Sequence, residues 1–363
     1  MEEIICGFTI SFNGPYYSNF VASIISLEKN LKSRGIKTVY VFPSEVKEFG
    51  WIYYLENLTD KIYYIDYAPH SIKNFVQIRK ILKKERVNIV YSRMSGWDFP
   101  SRLAFPFLPV IWHMDYRVNV VDKKRRFLNF IKFRLLGFGK TFHIASSMPV
   151  ADAINTLKPK NRAISIPNSL DFSRLNIRAE HSISKPYKLL IFGWLPIVKG
   201  MDTVLDAVTK LNDKEDFCKL LISSQPFTEE YMEERYGDHL PAFIRMIPPT
   251  DNVSELYDEA DIMISASRSE SFSFCLAEAI YSGLPVIFSD IEGTSWAREF
   301  KDAYEFKTAD TEDLIRVLNT IKTDITEDEI RFNRDLMQKK YSMDAWSNKI
   351  NNYILEIMNG FKD

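Results

Sequence analysis

A chain of 363 residues is too long for one small core and suits two domains, at about 100–200 residues each. Hydrophobic residues at 46% and charged residues at 26% exclude a disordered or low-complexity protein. A formal net charge of −1 gives no bulk attraction to nucleic acid, so electrostatic partners must be sought in local patches. Cys6, Cys218 and Cys275 are odd in number, far apart and set among apolar residues, which reads as reduced, buried thiols of a cytosolic protein. The start Met-Glu-Glu lacks the basic region of a secretory leader, and no apolar run approaches the ~18 residues of a membrane span. The expected location is the cytoplasm.

Strands and helices alternate along the first half. Ile4–Ile10 is an apolar, β-branched run, and Phe20, Val21, Ile24, Leu27 and Leu31 then recur at helical spacing up to Gly35. Thr38–Phe42, Ile62–Ile65, Val87–Tyr91, Pro109–His113, Thr141–Ala145 and Ala163–Ile166 follow as short strands. Strands interleaved with helices predict a parallel sheet covered on both faces.

The pattern restarts after residues 172–187, the weakest apolar stretch near the middle and the expected linker. Lys188–Phe192 reads as a buried strand, and Val204, Leu205, Val208 and Leu211 as one helix face. Lys219–Ile222, Phe243–Ile247, Asp261–Ser265 and Pro285–Phe288 read as further strands, and Asp344–Phe361 as an amphipathic terminal helix. The fold class expected is therefore α/β, two Rossmann-like doubly wound domains facing a central cleft. They comprise residues 1–172, completed by the helix 345–363, and residues 173–344. Ligands of such sheets bind at the carboxyl ends of the strands.

Chemistry is concentrated in Ser265–Gly293, SASRSESFSFCLAEAIYSGLPVIFSDIEG. A strand ends near Ser267, a polar turn carries Glu270, and a helix starts near Ser271–Ser273 and stops at Gly283, a left-handed cap. The first turn of a helix presents unpaired N–H groups and partial positive charge, a ready site for phosphate. Eight residues of helix would set Glu270 and Glu278 about 12 Å apart. A nucleotide-diphosphate sugar needs such an order: anion donors in the middle and a hydroxyl-binding carboxylate towards each end. The alternative is an amphipathic helix with two solvated glutamates.

This segment resembles the signature of glycosyltransferase family 4, in which a glutamate, seven residues and a second glutamate precede a Gly-Leu-Pro turn, here Gly283-Leu284-Pro285. The resemblance implies the GT-B fold. It also implies that Glu270 contacts the transferred sugar, that Glu278 binds the ribose, and that the amides of Ser271, Phe272, Ser273 and Phe274 hold the diphosphate. Gly193-Trp194-Leu195-Pro196-Ile197-Val198-Lys199-Gly200 is similar to the family's Gly-Arg-Leu-x-x-x-Lys-Gly loop, so that Lys199 would neutralise the leaving diphosphate. Two positions depart from the pattern: Trp194 replaces the arginine, with Arg268 as a substitute cation, and Ser273 replaces a glycine. Asn13-Gly14 resembles the family's glycine-bearing loop near the donor phosphate, and otherwise reads as a plain turn. His113 resembles the histidine at a strand end that faces sugar or acceptor, and otherwise reads as a core histidine. Ile166–Asp171 resembles a hinge that joins the domains.

The resemblance implies a retaining hexosyltransferase moving sugar from a nucleotide-diphosphate sugar to an acceptor hydroxyl of a glycan or lipid-linked acceptor. The Lys-, Ile- and Asn-rich composition associates it with bacterial surface polysaccharide or glycoconjugate synthesis. The alternatives are a non-catalytic glycan- or partner-binding subunit of the same fold, motivated by Trp194 and Ser273, and a sugar-nucleotide epimerase. No cofactor and no metal are expected, because His70, His143, His181 and His239 have no ligand spacing with Cys, Asp or Glu. Residues 123–140, KKRRFLNFIKFRLLGFGK, are basic without an acidic residue and rich in Phe and Leu. They read either as a surface for anionic lipid at the inner face of the membrane or for the pyrophosphate of a lipid-linked acceptor, or as a core helix with a solvated basic side.

Overall fold

The structure, a computed structural model, describes residues 3–59, 61–68, 71–115, 123–157, 163–250 and 252–360, with backbone alone at 123–126. His70 and Phe361 lie outside the described residues, as do the side chains of Lys123, Lys124, Arg125 and Arg126. The chain divides into two units, Met1–Ser169 with Met343–Asp363 and Leu170–Ser342.

In the first unit seven strands form one parallel sheet: β1 Ile5–Ile10, β2 Lys37–Pro43, β3 Ile62–Ile65, β4 Ile89–Arg93, β5 Val110–Met114, β6 Thr141–Ala145 and β7 Ile164–Ser165. Their order is β3-β2-β1-β4-β5-β6-β7, so the winding reverses between β1 and β4. Alternate residues feed two faces. Cys6, Phe8 and Ile10 pack against the helix Asn19–Ser33, while Val39, Val41 and Val90 join Trp97 and Trp112 on the other side. That helix is capped by Ser18, whose side chain accepts from the Val21 amide, and Gly35 follows its end at φ +74°. The terminal helix Met343–Met358 belongs to this unit and inserts Trp346, Ile350, Tyr353, Ile354 and Ile357 into the first core. Ser347 and Asn351 on the same helix bond Ser26 and Asn30.

The second unit contains the two-stranded antiparallel pair β8 His181–Ser182 and β15 Asp324–Ile325. Its main sheet is parallel: β9 Tyr187–Phe192, β10 Cys218–Ser223, β11 Ile244–Ile247, β12 Ile262–Ser265, β13 Val286–Ser289 and β14 Ala303–Phe306. The order is β11-β10-β9-β12-β13-β14, with the reversal between β9 and β12. The strand β14 carries only one fully buried residue, Phe306, which is why no apolar run marks it in the sequence. The stretch 172–187, read as a linker, lies within this unit: Leu175, Ile183 and Tyr187 are buried in its cores, and the chain crosses between units at Ser169–Leu170.

Candidate functional site

The reversal between β9 and β12 opens a gap at the carboxyl edge of the second sheet, the place where such sheets receive ligands. Two loops border it. The loop after β9, Gly193–Gly200, enters the helix Met201–Asn212 through Gly200 at φ +67°. A Cβ on Gly200 would collide with the Ala266 carbonyl, so only glycine lets the two loops meet. The loop after β12 runs from Ala266 to Ser273 and enters the helix Phe274–Ser282. Ser273 is the N-cap residue, but its side chain caps none of the first-turn amides. Gly283 closes that helix at φ +90°.

Lys199 and Glu270 meet here as an ion pair, and the Ser267 hydroxyl donates to the same carboxylate oxygen at 2.9 Å. The pair is largely shielded, at 21% and 13% side-chain exposure, so solvent screens it weakly. Burial presses the Lys199 ammonium down, but the nearby Cys275 thiol and the Glu270 carboxylate outweigh it, and its pKa ends above the ordinary lysine value. Lys199, Ser265, Ser267 and Cys275 line a small recess with Phe192 and Ala266. Gly293 holds the turn from the other side, since a Cβ there would collide with the Glu270 carbonyl.

The spacing of Glu270 and Glu278 does not run along one helix. Glu270 stands on the turn, the helix begins at Phe274, and four residues of rise, about 6 Å, separate that start from Glu278. Glu278 is buried at 7% exposure and accepts a 2.7 Å bond from the Tyr257 hydroxyl. Phe272 is stacked on Trp296 with ring centroids 5.0 Å apart, a core position. Ser273 is buried with its hydroxyl 3.4 Å from the Cys275 sulfur, while Ser271 and Phe274 are half-buried.

Arg268, read as a substitute cation, is engaged otherwise. Its guanidinium forks onto Asp202 at 2.8 and 2.7 Å and bonds the Ile197 carbonyl, and its amide donates to Val198 at 2.7 Å. It ties the two loops together with its charge balanced. Trp194 is 58% exposed.

His113 ends β5 in the first unit and is fully buried. Its Nδ1 is hydrogen-bonded to the Tyr91 hydroxyl, and its Nε2 lies 3.6 Å from Asp115. Asp115 takes a forked bond from buried Arg93 at 2.8 and 3.0 Å. Burial, with Arg93 adding to it against the pull of Asp115, pushes the His113 pKa down to about 3, so the imidazole is neutral. Asn13 is exposed in the loop after β1, and the neighbouring Gly14 carbonyl accepts from the Trp51 indole at 3.0 Å. In the basic stripe the helix Lys123–Phe130 passes into a π-helical turn, Ile131–Leu136. Phe133 is buried, but Phe127, Leu128, Phe130 and Leu135 are exposed and Lys132 pairs with Asp98.

Sequence reasoning singled out Lys199, Glu270, Glu278 and residues 271–274, which one edge of the second unit brings together, with Asn13, Gly14 and His113 on the first unit. It missed Ser267, Tyr257, Asp202 and Gly293 beside them, and Tyr91, Arg93 and Asp115 around His113. Ser267, three residues before Glu270, and Gly293, at the end of the segment, carried a faint signal; Tyr257 carried none. Among the described residues no cluster of three His, Cys, Asp or Glu could hold a metal ion, and no helix is long and apolar enough to cross a membrane.

Residues 186–324 match the family profile described as Glycosyl transferases group 1. The chain is 25% identical over 246 residues to N-acetyl-alpha-D-glucosaminyl L-malate synthase of Bacillus anthracis, covering 66% of this chain and 58% of that protein. It is 26% identical over 216 residues to the sulfoquinovosyl transferase of Arabidopsis thaliana, covering 56% and 40%. The chain thus spans about half the length of these relatives. The crystal structure of Anabaena HepE in complex with UDP and glucose superposes with a TM-score of 0.75 at 14% identity, over 98% of this chain and 100% of that one. That likeness shows the fold, the two parallel sheets with flanking helices of the GT-B class.

Proposed function

We propose that this chain is a retaining glycosyltransferase that moves a sugar from a nucleotide-diphosphate sugar to an acceptor hydroxyl. The observation that carries the reading is the meeting of Lys199 and Glu270 at the start of the helix Phe274–Ser282, on the edge where the second sheet reverses. A cation and the first-turn amides suit a diphosphate, and carboxylates on either side suit sugar and ribose hydroxyls. The match of residues 186–324 to a glycosyltransferase profile covers all of these residues, which supports the same assignment.

In the proposed reaction the bond between the anomeric carbon and the diphosphate oxygen breaks, and the acceptor oxygen bonds that carbon on the same face. The acceptor proton passes to the departing phosphate oxygen. Lys199 and the amides of residues 271–274 stabilise the charge that develops on the diphosphate, Glu270 orients the sugar, and Glu278 holds the ribose. His113 is buried without exposure and bonded to Tyr91, so it would serve this reaction by holding the end of β5 in place. The acceptor is a glycan or a lipid-linked glycan of bacterial surface polysaccharide or glycoconjugate synthesis. The exposed apolar residues of 127–135 would meet anionic lipid at the inner face of the membrane.

The test is thermal shift with UDP-, GDP- and dTDP-sugars on the wild type and Glu278→Ala, followed by mass spectrometry of products. A shift from one donor that the variant loses, with a glycosylated product, is the expected result. No shift and no product from a folded protein would sink it in favour of a non-catalytic subunit. Trp194 in place of the expected arginine, with Arg268 held by Asp202, is the observation that favours this second reading.

A further inference from the structure

We infer that Glu270 makes the site discriminate an intact nucleotide-diphosphate sugar from the nucleoside diphosphate left after transfer. The inference rests on the donor-site reading above.

The ammonium assigned to the diphosphate is not a bare charge. Lys199 is hydrogen-bonded to the Glu270 carboxylate, and Arg268 is forked onto Asp202. The position from which a second cation would be expected holds Trp194. Each cation of the two loops is thus matched by a carboxylate, and an incoming diphosphate meets neutralised pairs. The Glu270 carboxylate, beside the ammonium that should attract the phosphates, repels them.

The fold leaves Glu270 little room to retreat. The Gly293 backbone packs directly on the Glu270 backbone, and Ser267 bonds its side chain. Both side-chain bonds, from Lys199 and from Ser267, fall on Oε1. Oε2 has no hydrogen-bond partner among the described residues. The Glu270 side chain keeps 13% exposure, so water reaches it in the free protein. An ionised carboxylate oxygen only accepts, so a ligand that displaces this water must bring a donor such as a sugar hydroxyl, and a phosphate oxygen is rejected there.

An intact donor therefore offsets the repulsion on its diphosphate by placing a hydroxyl on Oε2. A nucleoside diphosphate brings the same repelled charge and no hydroxyl at that position. Loss of the sugar in the reaction would itself loosen the product, so the residue that orients the sugar also favours release of the spent nucleotide.

Isothermal titration of UDP, GDP and dTDP, and of UDP-glucose, GDP-mannose and dTDP-glucose, into the wild type and Glu270→Gln tests this. Glutamine keeps the shape and the Ser267 bond and removes the charge. For the base that binds, the free diphosphate should bind Glu270→Gln about tenfold or more tightly, a modest share of what two unit charges exchange at this range. The sugar nucleotide should gain less or weaken, so that the preference for it falls by about tenfold. An unchanged preference, or weaker binding of the free diphosphate to Glu270→Gln, overturns the inference while the donor site stands. If none of the six ligands binds a wild type that circular dichroism shows to be folded, the donor-site reading falls and the inference falls with it.

Discussion

At the scale of single residues, burial and charge decide what each group can do. His113 is buried without exposure, and its pKa near 3 lies far below the ~6.5 of an unfolded histidine. Between those two values the unfolded chain binds more protons than the folded one, so stability falls as the pH drops from 6.5 toward 3. At pH 5 the loss should reach about 2 kcal/mol, one pKa unit being worth 1.36 kcal/mol. Urea titrations at pH 7 and pH 5 should show that loss in the wild type and not in His113→Gln. Tyr257 sets the environment of Glu278 in the same way, by donating to its buried carboxylate. Tyr257→Phe removes that donor and should cost about 1–3 kcal/mol in denaturant unfolding. A value indistinguishable from zero would show that another group holds the carboxylate.

At the scale of elements, the loops after β9 and β12 are shaped by glycines that no other residue replaces. Gly200 combines a left-handed backbone with contact on the Ala266 carbonyl, and Gly293 makes such a contact on the Glu270 carbonyl. Gly200→Ala adds about 1–2 kcal/mol of left-handed strain to the steric clash. It should lower the melting temperature and abolish nucleotide binding together. Gly293→Ala should displace the Glu270 turn and reduce sugar-nucleotide binding more than it reduces stability. Glu270 and Glu278 were legible as a spaced pair because the Gly-Leu-Pro stop and the apolar rhythm mark the helix end. The helix start was not legible to the residue, because Phe272 leaves the turn to stack on Trp296, a contact across 24 positions of sequence that no local pattern records.

At the scale of the whole molecule, the chain returns to its first unit with its last helix. Trp346, Ile350, Tyr353, Ile354 and Ile357 supply one wall of that core. A chain ending at Ser342 should expose the opposite wall, on the helix Asn19–Ser33, and be recovered as insoluble or dye-binding protein; a soluble, cooperatively melting product would contradict this. The exposed Phe127, Leu128, Phe130 and Leu135 carry the membrane expectation. Flotation with phosphatidylglycerol liposomes should occur for the wild type and be lost in a Phe127→Ser, Leu128→Ser double variant, whereas no flotation of the wild type would end that idea.

The sequence by itself determined the alternation of strands and helices, their two successive runs and the turn and helix stop of the segment proposed as the donor site, because these follow from local periodicity, caps and glycine stops. It did not determine which charges meet. Lys199 reaches Glu270 across 71 positions of chain and Arg268 reaches Asp202 across 66, pairings that exist because β9 lies beside β12 in the sheet and brings their two following loops together. The charge on His113 was likewise decided by the tertiary structure, since burial is a property of everything packed around a residue and not of its neighbours in sequence.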